Sequence, residues 1–550
     1  MPRRRRLRRL VLNSESQAFE SLVELYRQGG RVLLQGEALQ VKGPKEHLSS
    51  ELLQALARHR SELRQLLGAS GKGAGASVGV PLSNAQEEIW AMERARPSSS
   101  RFGLTSCVLI QGSLDPGIVT EVVNALMERH VALRMGFDAE HGDARQQVHP
   151  FRPVKVSVER GSEQLPDNML SVLRHLAAEH ATRPFDLSTG PLLDVNLCTL
   201  GSEHTLLTLR RHHIASDGTS FAIIVDEFCR GYRALHAGQA LPESAGSLGY
   251  PAFVAYERAT IAKQGRAALL AWWRAQMCCA LEIASAAGRP SLERAALIGG
   301  SGSMRSFEFT LQAPVIASLQ ALSRRCGETL YSTMFALFRL LLEARQSPGA
   351  ECIGLDASMR DAAEFERTVG LFVNRVPIVQ GVEPAIPFTA MVAQVGRTLR
   401  AALAHKWLAH HEIDAQATAA GLSGLSYLFG FHNNAHATFS LPGCSVAANH
   451  VHSEQEHDVP FVCYLSDAGT SFRISVAYRI LAHTEALASD FDVLYQQVAQ
   501  LAVDCPDASC SEFIGALQAR QEQLYSGHRA AFARMKQRRF ARTSGSGSDA

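Results

Sequence analysis

The spacing of apolar residues changes sharply in the first half of the chain. Thr205–Leu209 is a short apolar run with β-branched residues, which is typical of a buried strand. A dozen residues later, apolar side chains recur at the i, i+3, i+4 and i+7 spacing of one helix face. They are Phe221, Ile224, Val225 and Phe228. Thr219 or Ser220 is a suitable N-cap, so the pattern predicts strand, polar loop and helix.

The polar loop between these two elements carries His212, His213, Asp217 and Gly218. Neighbouring residues of a strand point to opposite faces, so only one histidine can face an open site. Gly218 permits close approach of a substrate to the main chain. A histidine pair at a strand end with an Asp-Gly turn also occurs as ordinary structure. The full His-His-x-x-x-Asp-Gly spacing, between a strand and a helix, is much more specific.

Residues 14–68 have a pattern of their own and are called the N-terminal unit below. One helix face is formed by Phe19, Leu22, Val23 and Tyr26. Two short β-type runs, Val32–Leu34 and Ala38–Lys42, flank a turn and predict a hairpin. A second helix opens at Ser49 or Ser50, and its inward positions are Leu52, Leu56, Leu63 and Leu66.

Other stretches predict the remaining organisation. The small, Gly-rich segment 69–80 predicts a flexible linker, and residues after about 515 predict a polar helix. The Gly-Ser tail predicts disorder, so 521–550 is read as polar helix and disordered tail. An apolar helix is expected around Leu330–Leu342 and a strand at Ile353–Ala357.

Composition excludes several function classes. The chain has 550 residues, 46% of them hydrophobic and 20% charged, with a net charge of +2. This balance argues against nucleic acid as the main partner. Eleven scattered cysteines form no CxxC pair and indicate a reduced cytoplasmic setting, and no apolar run is long enough for a membrane span. Six arginines in residues 1–13 predict a disordered basic leader, with a targeting or nucleic-acid arm as the alternative.

Several motifs along the chain, in order, resemble those of condensation domains from nonribosomal peptide synthetases, within the chloramphenicol-acetyltransferase-like superfamily. The likeness runs from Pro81 to about residue 515. Besides the His212–Gly218 loop, the matching segments are Ser83–Trp90, Glu128–Arg134, Arg183–Leu193, Tyr250–Tyr256 and Val369–Asn374. Each of these motifs is weak alone, and their order makes them specific together.

Three positions depart from the family pattern. Glu88 stands where the family usually places an Arg that commonly pairs with the loop Asp, which leaves the partner of Asp217 open. Arg375 replaces the usual Thr after Asn374. The late His-x-x-x-Pro motif is reduced to His410–Asp414. These changes are compatible with an unusual substrate.

The resemblance implies an α/β (α+β) fold of two similar lobes in a V, each a mixed sheet with flanking helices. The lobes are placed at 81–255 and 256–520, with the site at their junction. It also implies that the N-terminal unit is a β-hairpin docking domain. In such domains, the tail of an upstream carrier protein binds beside the hairpin, often as an added strand. Arg27, Arg31, Lys42 and Lys45 suit an acidic tail, although they equally suit a solvated face.

By the same resemblance, His213 is the catalytic residue, Asp217 holds the loop, and main-chain N–H groups near Gly218 stabilise the oxyanion. His212 packs inward, and Asn374 lies at the lobe contact. His213 either takes a proton from the acceptor or orients it. No metal or bound organic cofactor is required, because the phosphopantetheine thioester arrives on a carrier protein.

The expected reaction is acyl transfer from that thioester to an amine or hydroxyl, forming an amide or ester. No adenylation or carrier segment follows, so a free-standing enzyme with its acceptor supplied in trans, free or on a second carrier protein, is expected. It would release a polyketide or polyketide–peptide hybrid. One alternative is a coenzyme A-dependent acyltransferase of the same superfamily. Another is a non-catalytic recruitment module, which usually loses the second His. Epimerisation domains normally follow a carrier domain, and heterocyclisation domains carry Asp-x-x-x-x-Asp instead.

Overall fold

The computed structural model describes residues 17–526 apart from several short segments. The segments outside the description are 36–37, 44–47, 68–77, 96–101, 139–143, 162–172, 174–175, 178, 181, 202, 243–247, 289–303, 348, 423, 433–438, 454–458 and 468–470. The basic leader, most of the predicted linker and the Gly-Ser tail therefore lie outside the described residues. Within the described ranges, no helix combines the length and apolarity that crossing a bilayer requires.

The N-terminal unit folds as a helix, a hairpin and a broken second helix. Its elements are α1 (17–27), β1 (Arg31–Gln35), β2 (Ala38–Lys42), α2 (Ser50–Arg58) and α3 (Arg60–Leu66). Strands β1 and β2 are antiparallel, with Gln35 opposite Ala38 across the turn. Ser49 caps α2 by accepting a hydrogen bond from the main-chain N–H of Leu52. The predicted hairpin and helices are confirmed.

The first lobe contains two sheets. Its strands are β3 (Val78–Pro81), β4 (Gly103–Gln111), β5 (Met135–Asp138), β6 (Arg145–Val148), β7 (Ser157–Arg160), β8 (Leu193–Leu200) and β9 (His204–His212). Its helices are α4 (Asn84–Ala95), α5 (Pro116–Arg129) and α6 (Gly218–His236). Strands β3, β6 and β5 form a small sheet in that order. Because β3 pairs with β6, the end of the segment predicted as a flexible linker, 78–80, is instead a strand.

The second lobe is built on a six-stranded sheet. Its helices are α7 (Tyr250–Gln264), α8 (Arg266–Ala286), α9 (Ala313–Arg325), α10 (Leu330–Ala344), α11 (Phe388–Ala404), α12 (His410–Ala419), α13 (Ala482–Ala488), α14 (Phe491–Asp504) and α15 (510–526). Its strands are β10 (Met304–Leu311), β11 (Cys352–Ser358), β12 (Val373–Val379), β13 (Tyr427–His432), β14 (Ser445–Ser453), β15 (Phe461–Asp467) and β16 (Phe472–Arg479). All except β14 join one sheet, ordered β10-β16-β15-β13-β11-β12.

Two elements connect the lobes. Strand β14 follows β13 of the second lobe, yet it pairs antiparallel with β4 and completes the first-lobe sheet, ordered β14-β4-β9-β8-β7. Helix α7 runs without a break across the boundary predicted between residues 255 and 256. The mixed α/β architecture with two lobes agrees with the predicted fold class, but the chain does not divide cleanly at that boundary.

Candidate active site

The His-His-x-x-x-Asp-Gly loop lies where β9 ends and α6 begins. Strand β9 ends at His212, and His213–Ala215 form one turn of 3-10 helix. Asp217 is the N-cap of α6, and its side chain accepts from the main-chain N–H of Ser220 at 2.7 Å. Gly218 is the first helical residue and is exposed. The predicted order of strand, polar loop and helix is confirmed.

His213 is fixed by two hydrogen bonds. Its main-chain N–H donates to the carbonyl of Phe102 at 2.8 Å, and its Nδ1 lies 2.8 Å from the carbonyl oxygen of Ser216. Because a carbonyl only accepts, Nδ1 carries the hydrogen and the neutral ring keeps its lone pair on Nε2. Burial lowers the pKa of His213 below its ordinary value, although the Ser216 carbonyl acts in the opposite direction. The arrangement supplies a neutral imidazole with a basic nitrogen.

His212 faces the packed side, as the alternation of strand residues predicts. It is only 3% exposed, and its ring lies against Phe102 and Phe185, with ring centroids 6.3 and 5.7 Å away. Its Nδ1 accepts from the main-chain N–H of Ile214 at 3.2 Å, and its Nε2 lies 3.4 Å from Glu93. This side chain holds the turn that presents His213.

Asp217 is clamped by the second lobe. Its carboxylate is 2% exposed and accepts from Nη2 of Arg360, at 3.1 and 3.4 Å from the two oxygens. The main-chain N–H of Phe372 donates to the same carboxylate at 3.0 Å. The guanidinium carbon of Arg360 lies 3.8 Å from the centroid of the Phe372 ring. The partner of Asp217, which the sequence left open at Glu88, is therefore Arg360.

A second arginine near the loop, Arg211, was not predicted from the sequence. Arg211 lies near the end of β9, is 4% exposed and donates to the hydroxyl of Ser106 at 3.1 Å. Its guanidinium lies 3.7 Å from the ring centroid of Phe221, and burial lowers its pKa to about 9 despite the charge of Asp217. Arg211 therefore interacts with Asp217 through its charge, whereas Arg360 binds the carboxylate directly.

Residues of three motifs meet beneath the catalytic turn. Gln86 donates to the carbonyl of Ile214 at 3.3 Å, so the Ser83–Trp90 motif supports the residue after His213. The hydroxyls of Ser83 and Tyr250 are 2.8 Å apart, and the Tyr250 hydroxyl donates to the carbonyl of Leu371 at 2.5 Å. Segments that are far apart in the sequence thus form one buried hydrogen-bond chain across both lobes.

Asn374 binds a segment of its own lobe that the first lobe also contacts. Its amide donates to the carbonyls of Lys406 and Leu408 at 2.6 and 2.7 Å. From the first lobe, the Asn84 amide donates to the carbonyl of Trp407 at 2.7 Å. The two asparagines therefore hold the same segment, 406–408, from opposite sides.

The two other departures from the family pattern also meet in the second lobe. Arg375 pairs across β11 and β12 with Asp356, at 3.2 Å, and Tyr464 donates to Asp356 at 2.8 Å. Burial and the charge of Arg375 lower the pKa of His410 to about 3, so this histidine is neutral. Arg375 is half-buried and is held inside the lobe.

The residues proposed for docking have different surroundings. Arg27 pairs with Glu24 on α1 at 3.0 Å, and Lys42 is exposed at the end of β2. Arg31 reaches the second lobe, where its guanidinium lies 3.8 Å from the carboxylate of Glu364. Lys45 lies outside the described residues. The structure therefore leaves Arg27 and Lys42 facing solvent, while Arg31 also serves a contact between domains.

Two mixed α/β lobes with a histidine loop near their contact are the arrangement that the resemblance to condensation domains implies. The family model for the condensation domain matches residues 77–525 of this chain, which is well over half of it. The chain belongs to the condensation domain family. Members of this family are acyltransferases that act on groups held by carrier proteins and need no cofactor of their own.

Curated relatives belong to peptide synthetases. The chain is 30% identical over 328 residues to a linear gramicidin synthase protein of Brevibacillus parabrevis, and the match covers 60% of this chain and 4% of that relative. It is 29% identical over 329 residues to phosphinothricin tripeptide synthetase PhsC of Streptomyces viridochromogenes, and this match covers 60% of this chain and 30% of that relative. The chain thus spans less than a third of the length of these two relatives.

Solved structures share the fold at lower identity. The first condensation domain of the calcium-dependent antibiotic synthetase, in complex with a substrate analogue, matches with a TM-score of 0.63 and 21% identity, covering 80% of this chain and 99% of that one. The X-domain from teicoplanin biosynthesis matches with a TM-score of 0.63 and 19% identity, covering 80% of this chain and 98% of that one. A further structure shows the X-domain in complex with OxyB, with a TM-score of 0.62 and 18% identity.

Proposed function

We propose that this protein transfers an acyl chain from the phosphopantetheine thioester of an upstream carrier protein to an amine or hydroxyl acceptor. The observation that carries the proposal is the geometry of His213, whose Nδ1 is bound by the Ser216 carbonyl and whose Nε2 keeps its lone pair. A neutral imidazole of this kind suits proton transfer near neutral pH. The rival function, a non-catalytic recruitment module, gives this arrangement no purpose.

In the proposed reaction, the acceptor nitrogen or oxygen attacks the thioester carbonyl while His213 Nε2 takes or orients its proton. The carbon–sulfur bond of the resulting tetrahedral species then breaks, and the pantetheine thiolate leaves and regains a proton. The main-chain N–H of Gly218, at the exposed start of α6, is suited to the oxyanion. Arg360 and Asp217 act on this chemistry only by fixing the loop. Water must be kept from the thioester, because it competes as a nucleophile.

The finer form of the proposal concerns the substrates. The donor is a polyketide or polyketide–peptide hybrid chain, and transfer to an acceptor supplied in trans releases it as an amide or ester. The altered residues Glu88 and Arg375 motivate an unusual acceptor. The coenzyme A-dependent alternative predicts that transfer from acyl-coenzyme A is at least as fast as transfer from the carrier thioester.

Intact-mass analysis of loaded carrier protein tests the transfer. The carrier is incubated with wild-type protein and with amino and hydroxy acceptors, both free and carrier-bound, and His213→Ala is the control. Loss of the acyl group from the carrier together with the mass of an acyl–acceptor product supports the proposal. Hydrolysis alone with every acceptor, or a donor that is merely epimerised on its carrier, contradicts it.

The N-terminal unit is proposed as the docking site for the donor carrier. Among the described strands, its hairpin pairs with no larger sheet, so a strand from a carrier tail can extend it. The exposed cations Arg27 and Lys42 suit an acidic tail and would raise the local donor concentration. Tethering of this kind lowers the KM for a carrier-bound donor without changing the chemistry.

Charge reversal tests this docking proposal. Lys42→Glu and Arg27→Glu are expected to raise the KM for the carrier-bound donor several-fold and to leave a small acyl thioester unaffected. Lys263→Glu, an exposed cation on α7, is the matched control. Unchanged kinetics with the carrier-bound donor in both docking variants would remove the hairpin as the docking site.

A further inference from the structure

The N-terminal unit is joined to the lobes through an aromatic cluster, defined as Tyr26, Phe253, Tyr256, Phe365 and Phe372. Tyr26 of α1 lies edge-on to Tyr256 of α7, with ring centroids 5.5 Å apart, and 6.5 Å from Phe365 of the second lobe. The other members contact one another with centroid separations of 4.4 to 6.1 Å. Tyr26 is 8% exposed, so the lobes bury a ring that comes from the N-terminal unit.

Phe365, which contacts Tyr26, and its neighbour Phe372 in the cluster also hold the clamp on Asp217. The main-chain carbonyl of Phe365 accepts from Nη1 of Arg360 at 2.8 Å, while Nη2 of the same guanidinium binds Asp217. The Phe372 ring lies under that guanidinium, and its N–H donates to Asp217. From Tyr26 to the carboxylate of the catalytic loop there are therefore two intervening residues, Phe365 and Arg360.

Two further contacts fix the N-terminal unit at the same place. Arg31 of β1 pairs with Glu364, the residue before Phe365. The side chain of Glu364 is only 5% exposed. The carbonyl of Leu67, just after α3, accepts from the N–H of Gly249 at 2.9 Å. A Cβ at Gly249 would lie 2.6 Å from the carbonyl oxygen of Leu66, so the two segments approach closely. Gly249 precedes Tyr250, which donates to Leu371.

We propose that the N-terminal unit supports the active site directly, with Tyr26 as a positioning residue that acts through Phe365 and Arg360 on Asp217. The unit then has a role in the chemical step that is independent of carrier docking. The inference rests on acyl transfer at the His213 loop, but it does not depend on where the carrier binds.

The ring of Tyr26, and not its hydroxyl, carries this role. Among the described residues, no group hydrogen-bonds to the buried hydroxyl. Removing the hydroxyl therefore leaves the packing intact, whereas removing the ring opens a cavity beside Phe365. Tyr26→Phe is consequently the matched control for Tyr26→Ala.

The test uses the full chain and an acyl N-acetylcysteamine thioester, a donor that needs no carrier and no docking. Tyr26→Ala is expected to lower kcat about three- to thirtyfold, the range for changes along a packed network that links two sites, with little change in KM. Tyr26→Phe should retain the wild-type kcat. Glu20→Ala, on the exposed side of the same helix, should also retain it with this donor.

Two outcomes overturn the proposal. The first is a wild-type kcat for Tyr26→Ala; if that variant does not fold, judged by circular dichroism, Tyr26→Leu takes its place. The second is additivity of the losses in activation free energy, taken from kcat, when Tyr26→Ala is combined with Arg360→Lys. Residues on one path should together lower kcat by less than their separate effects predict. Both outcomes are measured with a donor that needs no carrier. The docking proposal can therefore be wrong while the role of Tyr26 stands, and the reverse also holds.

Discussion

At the scale of single residues, the behaviour of His213 follows from where its hydrogen bonds end. The Ser216 carbonyl three residues later fixes the tautomer, and burial favours the neutral ring. Its neighbour His212 has no ring nitrogen left for a substrate, because one nitrogen faces the N–H of Ile214 and the other faces Glu93. One residue of register therefore separates a reactive imidazole from a structural one.

Removal of His213 should abolish transfer while leaving the fold intact. His213→Ala is expected to lower kcat about 100- to 10,000-fold, the contribution of a positioned acid–base group. His212→Ala should instead lower the free energy of unfolding by about 1–3 kcal/mol, because it leaves buried polar groups without a partner. Turnover measurements and urea unfolding of both variants check this pair. Wild-type turnover in His213→Ala would refute the assignment.

The lowered pKa of His213 sets the direction of the pH dependence. A histidine with an ordinary pKa of about 6.5 is partly protonated at neutral pH, and the lowered pKa of His213 shifts its ring toward the neutral form there. Activity should therefore fall toward acid with a midpoint below the ordinary 6.5, as the pH drops through the lowered pKa. A pH–rate profile with a small acyl thioester measures this. An acidic limb with its midpoint above 6.5 would contradict the neutral imidazole.

At the scale of elements, the segment between β11 and β12 is as important to the site as the histidine loop. It supplies Arg360 and the N–H of Phe372 to Asp217, and the carbonyl of Gly370 accepts from the main-chain N–H of Asp217 at 3.2 Å. All three groups reach α6 from the other lobe. The catalytic loop is thus held by an element that contributes no reacting group.

Loss of Arg360 should destabilise the protein strongly. Arg360→Ala leaves the carboxylate of Asp217 buried without its cation, which typically costs about 3–5 kcal/mol. Arg305→Ala breaks an exposed pair with Glu485 and should cost about 1 kcal/mol or less. Chemical denaturation measures both. In the Asp217→Asn background, Arg360→Ala should cost much less, and equal costs in the two backgrounds would argue against the clamp.

The sequence predicted local elements far better than the pairing between them. The hairpin at 31–42 and the loop at 212–218 were predictable because turn residues and apolar spacing act over a few positions. Arg360 was not, because it binds a carboxylate 143 residues away, and nothing in one sequence marks which of many arginines is buried. For the same reason, β3 was read as linker, since its partner β6 lies more than 60 residues later.

At the scale of the whole molecule, the N-terminal unit and the two lobes share one continuous apolar core. Phe19, Leu22 and Leu56 of the unit belong to the same buried cluster as Phe253 and Phe372. The unit is therefore part of the folded body in addition to its proposed role in docking. A marginal small core is stabilised in this way by contact with a larger one.

Heating should reveal this shared core. The full chain is expected to show no separate low-temperature transition for the N-terminal unit in calorimetry. Deletion of residues 1–68 should lower Tm by several degrees and increase binding of an apolar dye, because it exposes Tyr256 and Phe365. The full-length chain carrying Tyr26→Phe is the control. A deletion variant with unchanged Tm would show that the interface contributes nothing to stability.

Strand β14 limits how such proteins can be recombined. It is encoded within the second lobe but completes the first-lobe sheet, where eight of its nine residues pair with Leu104–Gln111. A chimera joined once, in the segment between α8 and β10, would pair a native β4 with a foreign β14, together with its bulge near Ala448. Exchange of the second lobe between synthetases therefore needs three junctions, because Ser445–Ser453 must come from the parent of the first lobe while β15 and β16 come from the parent of the second.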